Sequence, residues 1–291
     1  MRNHHPATPT SGHQVVAVDL PRPEMGDPGE CSMNRVLRGR AVLVDLDGTL
    51  VDSTASVDRC WVHIATRLNL DPAEVLGRFH GMPAWMALKV VDPTLDHATV
   101  MGANEEMLRL QIEDTDDVVA LPGALRLLET LPADVCAIVT SCSTDLTIAR
   151  LNAAGLPVPP LMVTADHVTT GKPDPEPYLL GAGLCREPAA RCIVIEDAPA
   201  GVAAAQAAGC AVLGLRTTHP TLGIASAATL EDVRVRSGLR GWWELSWDDA
   251  AIDGDRATQP REPLTEPRTA STPGSTTDSG PRITTHPRAP R

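Results

Sequence analysis

Lysine is nearly missing from this 291-residue chain: two, Lys89 and Lys172, stand against 23 arginines. Positions where a compact ammonium can act are therefore few. Positive charge as a whole is short, 25 basic against 37 acidic residues for a net charge of −12. That balance opposes binding to a phosphate backbone or an anionic lipid surface, so nucleic acid and membrane are set aside as partners. Long apolar runs are also lacking. The most apolar window, residues 198–215, is broken by Pro199, Gln206 and Gly209 and reads as a helix plus a strand rather than a membrane span. Residues 1–10 are polar and hold no apolar stretch, so no secretory signal peptide is expected. The seven cysteines (Cys31, Cys60, Cys136, Cys142, Cys185, Cys192, Cys210) are odd in number, widely spaced and mostly set in apolar runs. They read as buried reduced thiols, not a disulfide framework or zinc site, and point to a reducing, cytoplasmic setting. No internal repeat is present, which removes solenoids and propellers.

Apolar residues at 43% and charged residues at 21% lie close to globular averages, enough for a buried core. Residues 1–37 carry five prolines and no aromatic, and residues 248–291 carry seven prolines among many Thr, Ser and Arg. Both are expected to be disordered arms. Between them, apolar runs at 41–46, 135–140, 161–164, 192–195 and 211–215 alternate with amphipathic stretches at 124–131, 145–154, 175–184 and 200–208. Runs apolar on both faces suit parallel strands covered by helices, so the pattern predicts a doubly wound parallel α/β sheet. Residues 53–118 show helical periodicity and no convincing strand, and are expected to form a small helical cap inserted into a core made of 38–52 and 119–247.

In an open parallel sheet, ligands bind beyond the carboxyl ends of the strands. The first apolar run ends Asp45-Leu46-Asp47-Gly48-Thr49, two carboxylates with a glycine that lets the chain turn. The second ends Thr140-Ser141 and the fourth Glu196-Asp197, while Gly171-Lys172-Pro173 forms a rigid loop holding one of the two lysines. Gathering such carboxylates at one edge costs several kcal/mol unless a cation neutralises them. All-oxygen ligation points to a hard divalent ion, and Mg²⁺ fits because it keeps sites for water and substrate phosphate. A lysine and a hydroxyl opposite it suit a phosphoryl group.

These strings in this order resemble the four motifs of the haloacid dehalogenase superfamily, and within it the chain is similar to the sugar-phosphate phosphatase and beta-phosphoglucomutase group. The resemblance covers about 200 residues. It implies that Asp45 is the nucleophile that becomes an aspartyl phosphate and that Asp47 protonates the leaving oxygen and later activates water. Ser141, with Thr140 as the alternative, would hold the phosphoryl group beside Thr49, and Lys172 would tie Asp45 to it. Mg²⁺ would be held by Asp45, the Asp47 carbonyl and Asp197, with Glu196 touching it directly or standing one layer behind. A dehalogenase would need neither the acid Asp47 nor the metal carboxylates.

Substrate choice in such an architecture belongs to the cap. Its segment 79–89 is broken by Gly81 and Pro83, and His80, Gly81 and Lys89 are candidates to face the core. The mutase members place an acid/base histidine twelve residues past the nucleophile, where this chain has Val57, and a phosphate-gripping arginine three residues past the glycine matching Gly81, where it has Ala84. Both departures argue for hydrolysis of a small phosphorylated metabolite, a sugar or polyol phosphate, over phosphate migration. A beta-phosphoglucomutase-like isomerase and a non-enzymic metabolite-binding protein stand as the alternatives, and the chain is expected to be a monomer or weak homodimer. Asp52 and Ser53 read as the start of the cap helix, Cys142 as packing, and Trp242, Trp243 and Trp247 as a last element packed on the core.

Overall fold

The computed structural model describes residues 34–76 and 84–248. A six-stranded, wholly parallel sheet forms the centre: β2 (Ala41–Val44), β5 (Cys136–Val139), β6 (Met162–Val163), β7 (Cys192–Glu196), β8 (Ala211–Leu215) and β9 (Ser226–Ala227) in the order β6-β5-β2-β7-β8-β9. Three of the expected runs shorten, β2, β5 and β6, because the chain leaves the ladder at Asp45, Thr140 and Thr164, while β7 runs one residue further, to Glu196, and β8 keeps its expected bounds. β2 is flanked by β5 on one side and β7 on the other, so the winding reverses there and a crevice opens beyond its carboxyl end.

Alternation explains the layers. Val42 and Val44 point into one apolar cluster with Ile138, Ile193, Ile195 and Leu213, while Ala41 and Leu43 point into another with Ala137, Val139 and Val194. Helices α4 (Ala124–Thr130) and α5 (Thr144–Ala153) cover the first face. Helices α6 (Glu176–Leu184) and α7 (Pro199–Ala207) cover the second. α7 begins on Pro199, whose missing N–H costs nothing in a first helical turn.

Residues between the first two core strands fold apart, into α1 (Thr54–Leu68), α2 (Ala84–Val91) and α3 (His97–Glu113) around a cluster of their own that includes Trp61, Ile64, Leu88 and Met107. The two chain crossings into this cap are tied by a short antiparallel pair, β3 (Val51–Asp52) with β4 (Val119–Ala120). Arg59 grips Asp114 through both carboxylate oxygens, at 2.8 and 2.7 Å, and Asp117 at 3.0 Å, beside the returning crossing.

A second, three-stranded antiparallel sheet was not expected. β1 (Asn34–Gly39) pairs with β11 (Trp243–Asp248), which also pairs with β10 (Arg234–Ser237). The expected N-terminal arm, residues 1–37, therefore ends earlier, since 34–37 lie in β1, and the last strand runs one residue past 247. Hydrophobic Leu37 faces Leu245 in the register and Trp247 is buried, which is what holds this edge to the core. The remaining residues of both arms, and His80 and Gly81, lie outside the described residues. The described cysteines are all free, five of them buried. Among the described residues no helix is long and apolar enough to cross a membrane.

Candidate active site

Asp45 leaves the end of β2 and is buried. Its Oδ1 accepts from the Lys172 ammonium at 2.5 Å, and the same ammonium donates to Glu196 Oε1 at 2.8 Å and to the Val139 carbonyl at 3.0 Å. Lys172 reaches this point from the loop before α6 and lies 5.1 Å above the centre of the Tyr178 ring. One of the two lysines in the chain thus joins three strands. Burial alone would lower its pKa, but Asp45 and Glu196 outweigh that and hold it well above the usual value. Burial pushes Asp45 the other way, well above the carboxylate range, in spite of Lys172.

Glu196 closes β7 with both oxygens engaged. Oε1 accepts from Lys172 and from the Tyr178 hydroxyl at 2.9 Å, and Oε2 accepts from the backbone N–H groups of Asp197 and Ala198, each at 2.9 Å. Gly201 makes room for it: a Cβ there would stand 1.5 Å from Glu196 Oε1. Asp197 Oδ1 accepts from the Thr49 hydroxyl at 2.9 Å, and Oδ2 accepts from Thr218. Burial, followed by the charge of Glu196, pushes Asp197 up to about 7. Gly48, at φ +80°, allows the turn and the approach together, since a Cβ would fall 2.1 Å from Asp197 Oδ2.

Asp47 turns elsewhere. Oδ1 accepts from the Ser53 hydroxyl at 2.8 Å; Oδ2 accepts from Arg150 Nη1 at 2.5 Å and from the Cys142 thiol at 3.0 Å. Ser53 heads α1 but gives that helix no side-chain cap, its hydroxyl being spent on Asp47. Cys142 is more than packing: burial, then Asp47, pushes the thiol up to about 12, which leaves it a hydrogen-bond donor. Thr140 is buried and its hydroxyl accepts from the Cys142 N–H at 3.1 Å, shaping the turn, whereas Ser141 stands exposed at the tip. Lys89 donates to the Leu95 carbonyl at 2.6 Å, a tie within the cap. Thr218, Tyr178, Arg150 and Gln111 take part without any signal in the local sequence.

Asp45, Glu196 and Asp197 offer carboxylate oxygens all within 4.8 Å of one another and all buried. One ammonium cannot neutralise three such charges. The donor set is hard oxygen throughout, so it fits Mg²⁺ rather than a thiolate-seeking ion. Charge stored at strand ends next to a lysine is an arrangement for receiving a phosphoryl group.

Fold and site together define a hydrolase-type α/β core with a cap over a carboxylate-rich edge. A haloacid dehalogenase-like hydrolase profile matches residues 40–209, and the chain belongs to that family. Hexitol phosphatase A of Escherichia coli (strain K12) is 42% identical over 187 residues, covering 64% of this chain and 87% of that protein. Glycerol-1-phosphate phosphohydrolase 2 of Saccharomyces cerevisiae is 31% identical, over 62% of this chain and 76% of its own. A hydrolase from Pseudomonas syringae superposes with a TM-score of 0.59 at 27% identity, covering 66% and 94% of the two chains.

Proposed function

We propose that this enzyme hydrolyses the phosphomonoester of a small polyol or sugar, with Asp45 as nucleophile and Mg²⁺ as cofactor. The observation that carries the reading is Lys172 bridging Asp45 and Glu196 with Asp197 alongside. The names of the relatives, a hexitol phosphatase and a glycerol-1-phosphate phosphohydrolase, support the substrate class.

An Asp45 oxygen attacks phosphorus, and the bond to the sugar oxygen breaks as that oxygen takes a proton from Asp47. Water then attacks the aspartyl phosphate and gives its proton to Asp47; inorganic phosphate leaves and the Asp45 carboxylate is restored. Lys172, its three donors spent on Asp45, Glu196 and the Val139 carbonyl, fixes the attacking carboxylate and supplies positive charge beside it. Ser141, exposed at its turn, binds a phosphoryl oxygen, and Thr49 holds Asp197 in place. The carboxylates of Asp45 and Asp197 and the Asp47 carbonyl would hold Mg²⁺, with Glu196, both oxygens occupied, anchoring Lys172 behind them. When bound, the ion neutralises phosphoryl charge and the clustered carboxylates.

Hydrolysis is favoured over phosphate migration because Val57 packs against the apolar cluster of the cap and Ala84 is buried there. Neither can shuttle a proton to a sugar or grip a far phosphate. A phosphate-release screen across polyol, sugar and nucleotide monophosphates, with and without EDTA, tests the reading. Release abolished by EDTA and restored by Mg²⁺ is expected. Binding without turnover across the panel, or conversion of glucose 1-phosphate to glucose 6-phosphate without free phosphate, would overturn it.

A further inference from the structure

Arg150 lies on α5, on a helix face otherwise filled by Leu146, Thr147 and Leu151, and its side chain is only 4% exposed. A buried guanidinium is costly, and an apolar side chain of similar volume serves a helix face as well or better. The fold alone therefore gives no reason for an arginine. Its contacts do. Nη1 donates to Asp47 Oδ2 at 2.5 Å and lies 3.1 Å from Cys142 Sγ, while Nη2 donates to Gln111 Oε1 at 2.6 Å. Gln111 belongs to α3 of the cap. Nε finds no acceptor among the described residues, so the orientation of the head group is set by Asp47 and Gln111. The guanidinium is a rigid plane, and moving the partner of one arm turns the other.

We propose that Arg150 is a positioning residue that sets the Asp47 carboxylate according to where the cap stands, with Gln111 as the sensing contact. This rests on the reading of Asp47 as acid and base given above. Cap displacement removes Gln111 from one arm of the fork and frees the other to release or re-aim Asp47, so proton transfer is tied to closure over substrate. Asp45 is held by Lys172 within the core, with no such link among the described residues.

The test compares the wild-type chain with Arg150→Met on 4-nitrophenyl phosphate and on the alkyl phosphate that the release screen ranks first. An alkoxide needs a proton on leaving, whereas nitrophenolate does not. Arg150→Met is expected to lower kcat on the alkyl ester about 10- to 100-fold, part of what acid–base catalysis supplies, with KM held within about threefold. On the aryl ester it should keep a burst of one nitrophenolate per active chain, followed by slow turnover, because only the second step needs Asp47. Arg150→Lys should recover part of the loss. Gln111→Leu should lower kcat several-fold in the wild-type background and have no effect beside Arg150→Met. Equal losses on both esters without a burst, an unchanged kcat, or additive effects of the two substitutions would overturn the proposal. Should Arg150→Met not fold, Arg150→Lys and Gln111→Leu decide by the same readouts. A wild-type chain that turns over no ester overturns the parent reading instead, and is told apart by its own silence.

Discussion

Asp45 and Asp47 stand on one turn, two residues apart, and share almost no surroundings. Asp45 meets Lys172, which Glu196 and Val139 hold in turn, so its neighbours all come from core strands or the loop before α6. Asp47 meets Ser53 at the foot of the cap, Cys142 on the core, and through Arg150 the cap residue Gln111. The first corner is fixed; the second straddles two parts of the molecule. Charge that must be in place before reaction is built into paired strands, where no reorganisation is needed when the phosphoryl group arrives. A group that first gives and then takes a proton sits where a moving part can reach it.

The comparison breaks most severely at Asp45. Asp45→Asn is expected to lower phosphate release by about 10⁴-fold or more, the scale of losing a covalent nucleophile, while near-ultraviolet circular dichroism remains that of the folded chain. Residual turnover near the wild-type rate would erase the distinction between the corners. Next in size is Lys172→Met. Its side chain is 7% exposed and serves two carboxylates, so its removal should cost about 3–5 kcal/mol in denaturant unfolding at pH 7, the range for breaking a buried pair from one side. A loss below about 1 kcal/mol, as for an exposed pair, would mean the corner is open to water.

Stability against pH sharpens the same point. The carboxyl of Asp197 lies near 3.8 in the unfolded chain and is pushed to about 7 by burial, and Asp45 is shifted in the same direction. Between those values the folded chain holds protons that the unfolded chain releases. This contribution to stability is present below pH 3.8 and lost as pH climbs through about 7. Lys172 does not offset it, because its shift acts only above its ordinary value of 10.5. Unfolding in EDTA should therefore show stability declining from pH 5 to pH 7.5. Mg²⁺ at 100 times its Kd should add about 2.7 kcal/mol at the upper end and flatten the decline. A rise in metal-free stability over that window would contradict the burial of these charges. The smallest effect is expected at the cap crossing. Arg59 is 42% exposed, so Arg59→Ala should cost about 1 kcal/mol or less by thermal unfolding. A larger loss would show the crossing to be as fixed as the Asp45 corner.

The fixed corner was legible in the sequence for a physical reason: each of its charges ends an apolar run. A strand apolar on both faces announces itself, and the polar residue where it stops marks the sheet edge. Asp45, Glu196 and Asp197 were found that way, and Lys172 by the scarcity of lysine and by the Gly and Pro around it. The Asp47 corner was half legible. Asp47 belongs to the same string, but Arg150 occupies a helix position where arginine is ordinarily solvated, and Gln111 sits 39 residues from it in sequence. Tyr178 and Thr218 were missed because a hydroxyl that satisfies a distant carboxylate leaves no local pattern. The three-stranded sheet escaped for a related reason. β1 reads as a polar extension of a proline-rich arm until Leu37 is set against Leu245, 208 residues away, and Arg38 against Glu244.

The central claim, that Asp45 carries the phosphoryl group between two half-reactions, is tested most directly by acid-quenching a single turnover of ³²P-labelled ester. Label bound to wild-type protein, stable in acid, released by hydroxylamine and absent from Asp45→Asn, is the predicted result. Full-rate turnover with no protein-bound label, or label that survives the substitution, would contradict it.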